Sequence, residues 1–300
     1  MGGLVMHKNK KFTPYLFIIP GLLLLLLFVY YPIFQNIRYS FLDWELFSGT
    51  KKFIGLKNYL KLFKSDTFWM AFRNNIYYIV ISLIFQVGFS LILAAILENM
   101  KFRKLSAIYR TTFFVPSLIS LTVIGLLFTF VYEPQGILNS FLRAIHLESL
   151  TTGWLGNEKT AIFAVIAVSQ WKSIGYTMML LIVAIQRIPV EIMEAATLDG
   201  ASRVKAFFHV TVPMIKDTIL MVMIITTSGG FLVFNEIYVI TNGGPYGSSE
   251  VLSTILYKNA FVHGKIGYAS TIGNVILLFS ILFALLQTGA FSGRKKKGDV

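Results

Sequence analysis

The 300-residue chain has no cysteine, which removes at once a disulfide framework, a Cys-ligated zinc site, an iron–sulfur cluster and a thiol nucleophile. Histidine is nearly as scarce: His7, His146, His209 and His263 are scattered and form no pair at metal-ligating spacing. Charged residues make up 14%, against roughly a quarter in an average soluble domain, and an ordinary soluble globule is excluded. No Gly-x-x-x-x-Gly-Lys-Ser/Thr occurs, and Lys159-Thr160 follows Glu158 rather than glycine, so any use of ATP needs a partner. The few acidic and histidine side chains do not cluster, so the chain reads as a non-enzyme.

What is present is apolar. Hydrophobic residues make up 55%, with 27 phenylalanines. Runs long enough to cross about 30 Å of hydrocarbon fall at 15–33, 75–97, 107–132, 161–185, 215–240 and 266–291, the third interrupted by Pro116. The first run follows a basic start like a signal peptide. It is too long for one and leads into Tyr31 and Pro32 rather than a small-residue cleavage site, so it reads as an uncleaved anchor. The expected fold is an all-α polytopic membrane protein with six transmembrane helices and a short cytoplasmic helix between spans four and five.

A net charge of +13 would suggest nucleic acid as partner of a soluble protein. Here its distribution reports topology instead, and no nucleic acid is expected. Lys8, Lys10 and Lys11, then Lys101, Arg103, Lys104 and Arg110, then Arg294 to Lys297 all fall on one side of the six spans, and the positive-inside rule makes that side cytoplasmic. The expected order is a cytoplasmic N-terminus at 1–14, a transmembrane domain at 15–293 and a cytoplasmic tail at 294–300, whose basic run suits anionic membrane lipid. Lys51, Lys52, Lys57, Lys61 and Lys64, in the first outer loop, run against the rule.

The segment 187–213 is too polar to face lipid. Pro189 suits a helix start, Glu191 and Glu194 sit where the helix dipole favours anions, and Gly200 suits a closing residue of positive φ. A second helix is expected from Ala201 to about His209, ending before Pro213. Polar groups within spans usually face a cavity, and Lys172 in span four is the strongest, with Trp171, Ser173 and Tyr176 beside it. Aromatic faces among hydroxyls suit a sugar. Gly229-Gly230 reads as close helix packing, and Glu236 as a cavity rim or subunit contact.

Glu194-Ala195-Ala196, Gly200 four positions after Ala196, and Val210-Thr211-Val212-Pro213 beyond it resemble the EAA loop of permease subunits of binding-protein-dependent ABC importers. Asp199-Gly200-Ala201 is the form common in sugar permeases. Pro116-Ser117, Trp171, Gln186-Arg187-Ile188-Pro189, Thr241-Asn242-Gly243-Gly244-Pro245, Ala260-Phe261 and Gly267-Tyr268-Ala269 extend the resemblance over nearly the whole chain, in the form of the maltose-, lactose- and glycerol-phosphate-type carbohydrate permeases.

The resemblance implies that Glu194, Ala195, Ala196, Asp199, Gly200 and Ala201 couple the chain to a cytoplasmic ATPase. It implies two such ATPases, which bind the ATP and Mg that this chain does not, and a second, non-identical permease. It implies an extracellular binding protein delivering a carbohydrate, alternating access, and the bacterial cell membrane as location. The family's sugar contacts match Phe113, Ser117, Lys172, Ser173, Tyr176, Thr226, Gly230 and Val233, although Gly230 and Val233 stand where the maltose permease has amides. A glycerol-phosphate or polyol substrate is the alternative cargo. An ion-coupled secondary transporter is the alternative class, and it would show deep carboxylates and inverted repeats that are not evident.

Overall fold

The computed structural model describes residues 13–46, 49, 51–100 and 102–292. Most of the expected N-terminal segment 1–14, with His7, Lys8, Lys10 and Lys11, lies outside the described residues, as do Lys101 and the tail 294–300. The elements in chain order are α1 (Tyr15–Ser40), β1 (Leu42–Trp44), β2 (Lys51–Phe53), α2 (Lys57–Phe63), α3 (Asp66–Glu98), α4 (Arg103–Leu118) and α5 (Leu121–Val131). There follow α6 (Ile137–Ala144), α7 (Ala161–Ile185), α8 (Val190–Leu198), α9 (Arg203–Met214), α10 (Lys216–Leu232), α11 (Asn235–Ile240), α12 (Leu252–Tyr257) and α13 (Ile266–Ser292). Helices α1, α3, α7 and α13 are each long and apolar enough to cross a membrane, and the bent pairs α4–α5 and α9–α10 bring the number to six if each pair is one span. The all-α class stands, with one small hairpin added.

Several boundaries move for identifiable reasons. The second span starts at Asp66 rather than 75, because Ser65 caps the helix by accepting from the Phe68 amide (3.4 Å) and a capped polar first turn is invisible to a search for apolar runs. The first continues past 33 to Ser40, its turns widening at Leu26–Tyr30 just ahead of Pro32, whose missing N–H a regular turn would leave as a gap. In the third, Pro116 lies inside α4, and the break comes at Ile119 and Ser120, both extended, where the chain bends by 98° into α5. The fifth is shorter than 215–240: α10 ends at Leu232, and α11 is a separate short helix. The helix expected to stop near His209 runs on through Pro213 to Met214, with widened turns at Phe207–Thr211 accommodating the ring, and then bends by 73° into α10. Spans four and six fall where the sequence puts them.

The chain forms two compact units. The first comprises the described residues up to Leu62 with 258–274. Its hairpin pairs Leu42 with Phe53 and Trp44 with Lys51, and amides hold the turns around it. Asn58 Nδ2 donates to the carbonyls of Ser40 (2.9 Å) and Leu42 (3.0 Å), and Asn36 Nδ2 donates to Asn274 Oδ1 (2.7 Å). This unit also accounts for part of the basic loop: Lys51 Nζ lies 4.1 Å from the centre of the Trp44 ring and Lys61 Nζ 5.3 Å from that of Tyr268, so aromatic faces hold two of the misplaced cations.

The second unit comprises 63–257 and the described residues from 275. Its core is two apolar clusters strung along α7. One gathers Ile162, Val165, Ile166 and Val168 with Tyr78, Ile124, Ile237 and Ile240; the other gathers Met178, Leu181 and Ile182 with Val87, Ala94, Ile219 and Val222. Between them α7 carries Ser169, Gln170, Ser173 and Thr177, a polar belt in mid-span. The Thr241–Pro245 turn, with Asn242 and Gly243 at positive φ, is tied down by Thr241 Oγ1 to Ser249 Oγ (2.8 Å) and by Asn74 Nδ2 donating to the Ser248 carbonyl (2.7 Å).

Candidate functional site

Two places carry the residues that the sequence singles out, and both lie within the second unit. The first is α8. Pro189 precedes its first turn, with the Ile192 amide donating to the Pro189 carbonyl (3.2 Å) and Glu191 near the positive end of the helix dipole. At the other end the Ala201 amide reaches back to the Ala196 carbonyl (3.0 Å) and the Gly200 amide to that of Thr197 (3.0 Å), a pair of bonds that needs Gly200 at φ 77°. A side chain at Gly200 would meet no neighbour, so the backbone angle alone demands glycine there. No residue of α8 is buried, and Leu198 is 89% exposed. The helix is closed at both ends by its own backbone, and its apolar side chains are in the open.

The second place is a cavity of about 450 Å³ at the polar belt. Ser173, Tyr176, Thr226 and Gly230, all marked by the sequence, line it, as does Val233. Phe113, Ser117 and Lys172 are not in its wall. Phe113 packs against the Met178–Leu181 cluster, and the Ser117 hydroxyl donates to the carbonyl of Phe114 (2.7 Å) in its own helix. Lys172 is half-buried on α7, within electrostatic reach of Glu236. Gly230 does double service, since its carbonyl also accepts from Asn75 Nδ2 (2.7 Å).

Sequence reasoning missed Tyr78, Gln86, Ser169 and Asn235 in this wall, and undervalued Glu236. The amides carry a signal: a glutamine inside an apolar span obeys the same rule that marks Lys172. The belt is already cross-linked. Gln170 Nε2 donates to Ser82 Oγ (3.0 Å), the Tyr78 and Ser169 hydroxyls share a hydrogen bond, and Ser90 Oγ donates to the Ile174 carbonyl (2.9 Å). Aromatic faces from Tyr176 and Phe234, with hydroxyls, two amides and one carboxylate around them, suit a polyhydroxylated ligand. Among the described residues no group of three or more His, Cys, Asp or Glu is placed to hold a metal ion.

Membrane-length helices, a polar cavity in mid-span and an unburied helical knob are the build of a polytopic membrane transport subunit. Residues 86–290 match the family described as binding-protein-dependent transport system inner membrane component, and the chain belongs to that family, the permease subunits of ABC importers. It is 50% identical over 293 residues to a probable ABC transporter permease protein, YurN, of Bacillus subtilis, covering 97% of this chain and 100% of that one. It is 32% identical over 291 residues to the arabinooligosaccharides transport system permease protein AraP of the same organism (95% and 91% covered). Its fold superimposes with a TM-score of 0.82 on a chain from a bacterial ABC transporter involved in the import of alginate, at 23% identity, with 96% and 98% of the two chains covered.

Proposed function

We propose that the chain is one of two non-identical permeases of an ATP-driven importer that takes an oligosaccharide from an extracellular binding protein and passes it inward by alternating access. The carrying observation is the cavity: aromatic faces among hydroxyls and amides at mid-span, where sugar rings stack and sugar hydroxyls bond. The wall holds one carboxylate, Glu236, and no basic side chain, which favours a neutral oligosaccharide over glycerol phosphate. Both termini are cytoplasmic in this reading, so α8 faces the cytoplasm. There Leu198 and the small residues Ala195, Ala196, Gly200 and Ala201 seat in a surface cleft of one of the two ATPases, with Glu194 and Asp199 toward basic groups at its rim. ATP and Mg belong to the two ATPases.

The test is uptake by cells expressing the chain with its binding protein, second permease and ATPase. Labelled neutral oligosaccharide is expected to enter and labelled glycerol phosphate is not. Glu194→Lys is expected to stop uptake and to release the ATPase from the purified complex while the two permeases stay together. Uptake that survives Glu194→Lys would remove the coupling role, and preferential uptake of glycerol phosphate would remove the carbohydrate assignment.

A further inference from the structure

A second cavity, this one an apolar groove of about 580 Å³, lies at the end of a membrane span, away from the mid-span cavity. One wall is the last turns of α3, with Ile92 and Ile96 about half exposed; the other is α9, with Val204 and Phe208 more open still. Arg203 stands at its edge. Among the described residues nothing pairs with the Arg203 guanidinium; it also borders the adjoining cavity that holds Glu194, without an ion pair between the two. The groove contains no acidic side chain, and Lys205 on the same helix adds a second exposed cation.

We propose that this groove binds an anionic phospholipid, the phosphodiester on Arg203 and an acyl chain along Ile92, Ile96 and Phe208. Three features on the molecule select that occupant. The α3 wall is the end of a span, so the groove opens at the membrane boundary within reach of acyl chains, and although 187–213 as a whole is too polar for lipid, its Val204 and Phe208 form a local exposed apolar face there. An apolar trough ending in an unpaired guanidinium matches a molecule with a long apolar tail and one negative head. The planar fork of Arg203 suits a phosphate oxygen pair better than a zwitterionic head whose own ammonium competes for it. Because α9 follows α8 with only Asp199–Ser202 between them, a lipid held here would brace the base of α8 against the end of α3.

Native mass spectrometry of the purified full-length chain, offered phosphatidylglycerol and phosphatidylcholine with identical acyl chains, reads the site directly. Phosphatidylglycerol is expected to be retained about fivefold better, the factor one basic side chain contributes at a membrane surface. Arg203→Gln is expected to erase the preference while leaving general lipid binding unchanged. Ile96→Trp, which fills the groove and keeps the guanidinium, is expected to lower retention of phosphatidylglycerol as well. Millimolar inorganic phosphate is expected to displace nothing, since it lacks the tail. Equal retention of the two lipids by the native chain, an unchanged preference in Arg203→Gln, or displacement by free phosphate would overturn the proposal. None of these readouts depends on the carbohydrate assignment.

Discussion

Helices α1 and α7 reverse the usual relation between apolar composition and burial. The apolar stretch of α1 is 0% buried, with Leu22 to Leu27 all exposed, whereas that of α7, the least apolar of the four unbroken spans, is 56% buried. In water the opposite would hold, since apolar side chains are driven inward. In a bilayer the surrounding solvent is itself hydrocarbon, so a leucine gains little by turning inward and helices associate through close packing and hydrogen bonds. Helix α7 is built for that: Gly175 lets the α4 backbone approach, the Ala164 carbonyl accepts from the Tyr132 hydroxyl (3.1 Å), and Ser169 and Gln170 bond to neighbouring helices. Hydropathy in this chain therefore locates lipid, and lapses in hydropathy locate the protein's own interior.

The largest effect that tests this contrast is at the two helices' glycines. A Cβ on Gly175 would lie 1.8 Å from the carbonyl oxygen of Phe113, so two backbones touch there, whereas one on Gly21 in α1 would meet nothing within 4 Å. Gly175→Leu is expected to push α4 from α7 and leave little folded protein in the membrane, since overpacking alone costs about 1–3 kcal/mol and here the obstacle is backbone. Gly21→Leu is expected to match the native chain. Detergent-solubilised yield and thermal aggregation temperature would separate them, and equal behaviour would mean the α4–α7 approach is not what holds the unit together.

Next in size is the charge carried by the polar helix. Lys172 on α7 and Glu236 on α11 are within electrostatic reach, and Glu236 reaches the cavity wall. Lys172→Met and Glu236→Gln are each expected to lower uptake about tenfold at unchanged assembly, roughly 1.4 kcal/mol each. If the two act as a pair, the double variant loses less than the product of the singles, because the second change removes a partner already lost. Uptake and assembly both intact in Lys172→Met would leave Lys172 with no part in transport.

What could be read beforehand followed the same division. Spans four and six were legible to within a residue, because their ends coincide with the ends of apolar runs. The short helix at 190–198 was legible for a different reason: Pro189, Glu191 and Gly200 are local signals, each acting on backbone within a turn or two. The breaks after Leu118 and Leu232 were not, since their positions depend on which neighbouring helix each half packs against, and Pro116 as a local signal pointed a few residues short. The cavity was half legible. Ser173 and Tyr176 share a stretch of α7 with Lys172, but Tyr78, Gln86 and Glu236 reach the same space from α3 and α11, and only the packing of helices far apart in sequence brings them together.

The smallest expected effect distinguishes two serines that sequence alone treats alike. The resemblance implies a sugar contact for both Ser117 and Ser173, yet Ser117 spends its hydroxyl proton on the Phe114 carbonyl, one turn back in α4, while Ser173 lines the cavity. A hydroxyl already satisfied by its own helix has only its lone pairs to offer a ligand, and replacing it exposes no new polar group, because the Phe114 carbonyl keeps a second lone pair and its helical setting. Ser117→Ala is therefore expected to change uptake by less than about twofold, against about three- to tenfold for Ser173→Ala, the span of one neutral hydrogen bond. Concentration-dependent uptake separates the two, with the Ser173→Ala loss appearing at low substrate. An equal loss in both variants would place Ser117 in the substrate path and move the cavity's edge from α7 toward the broken span.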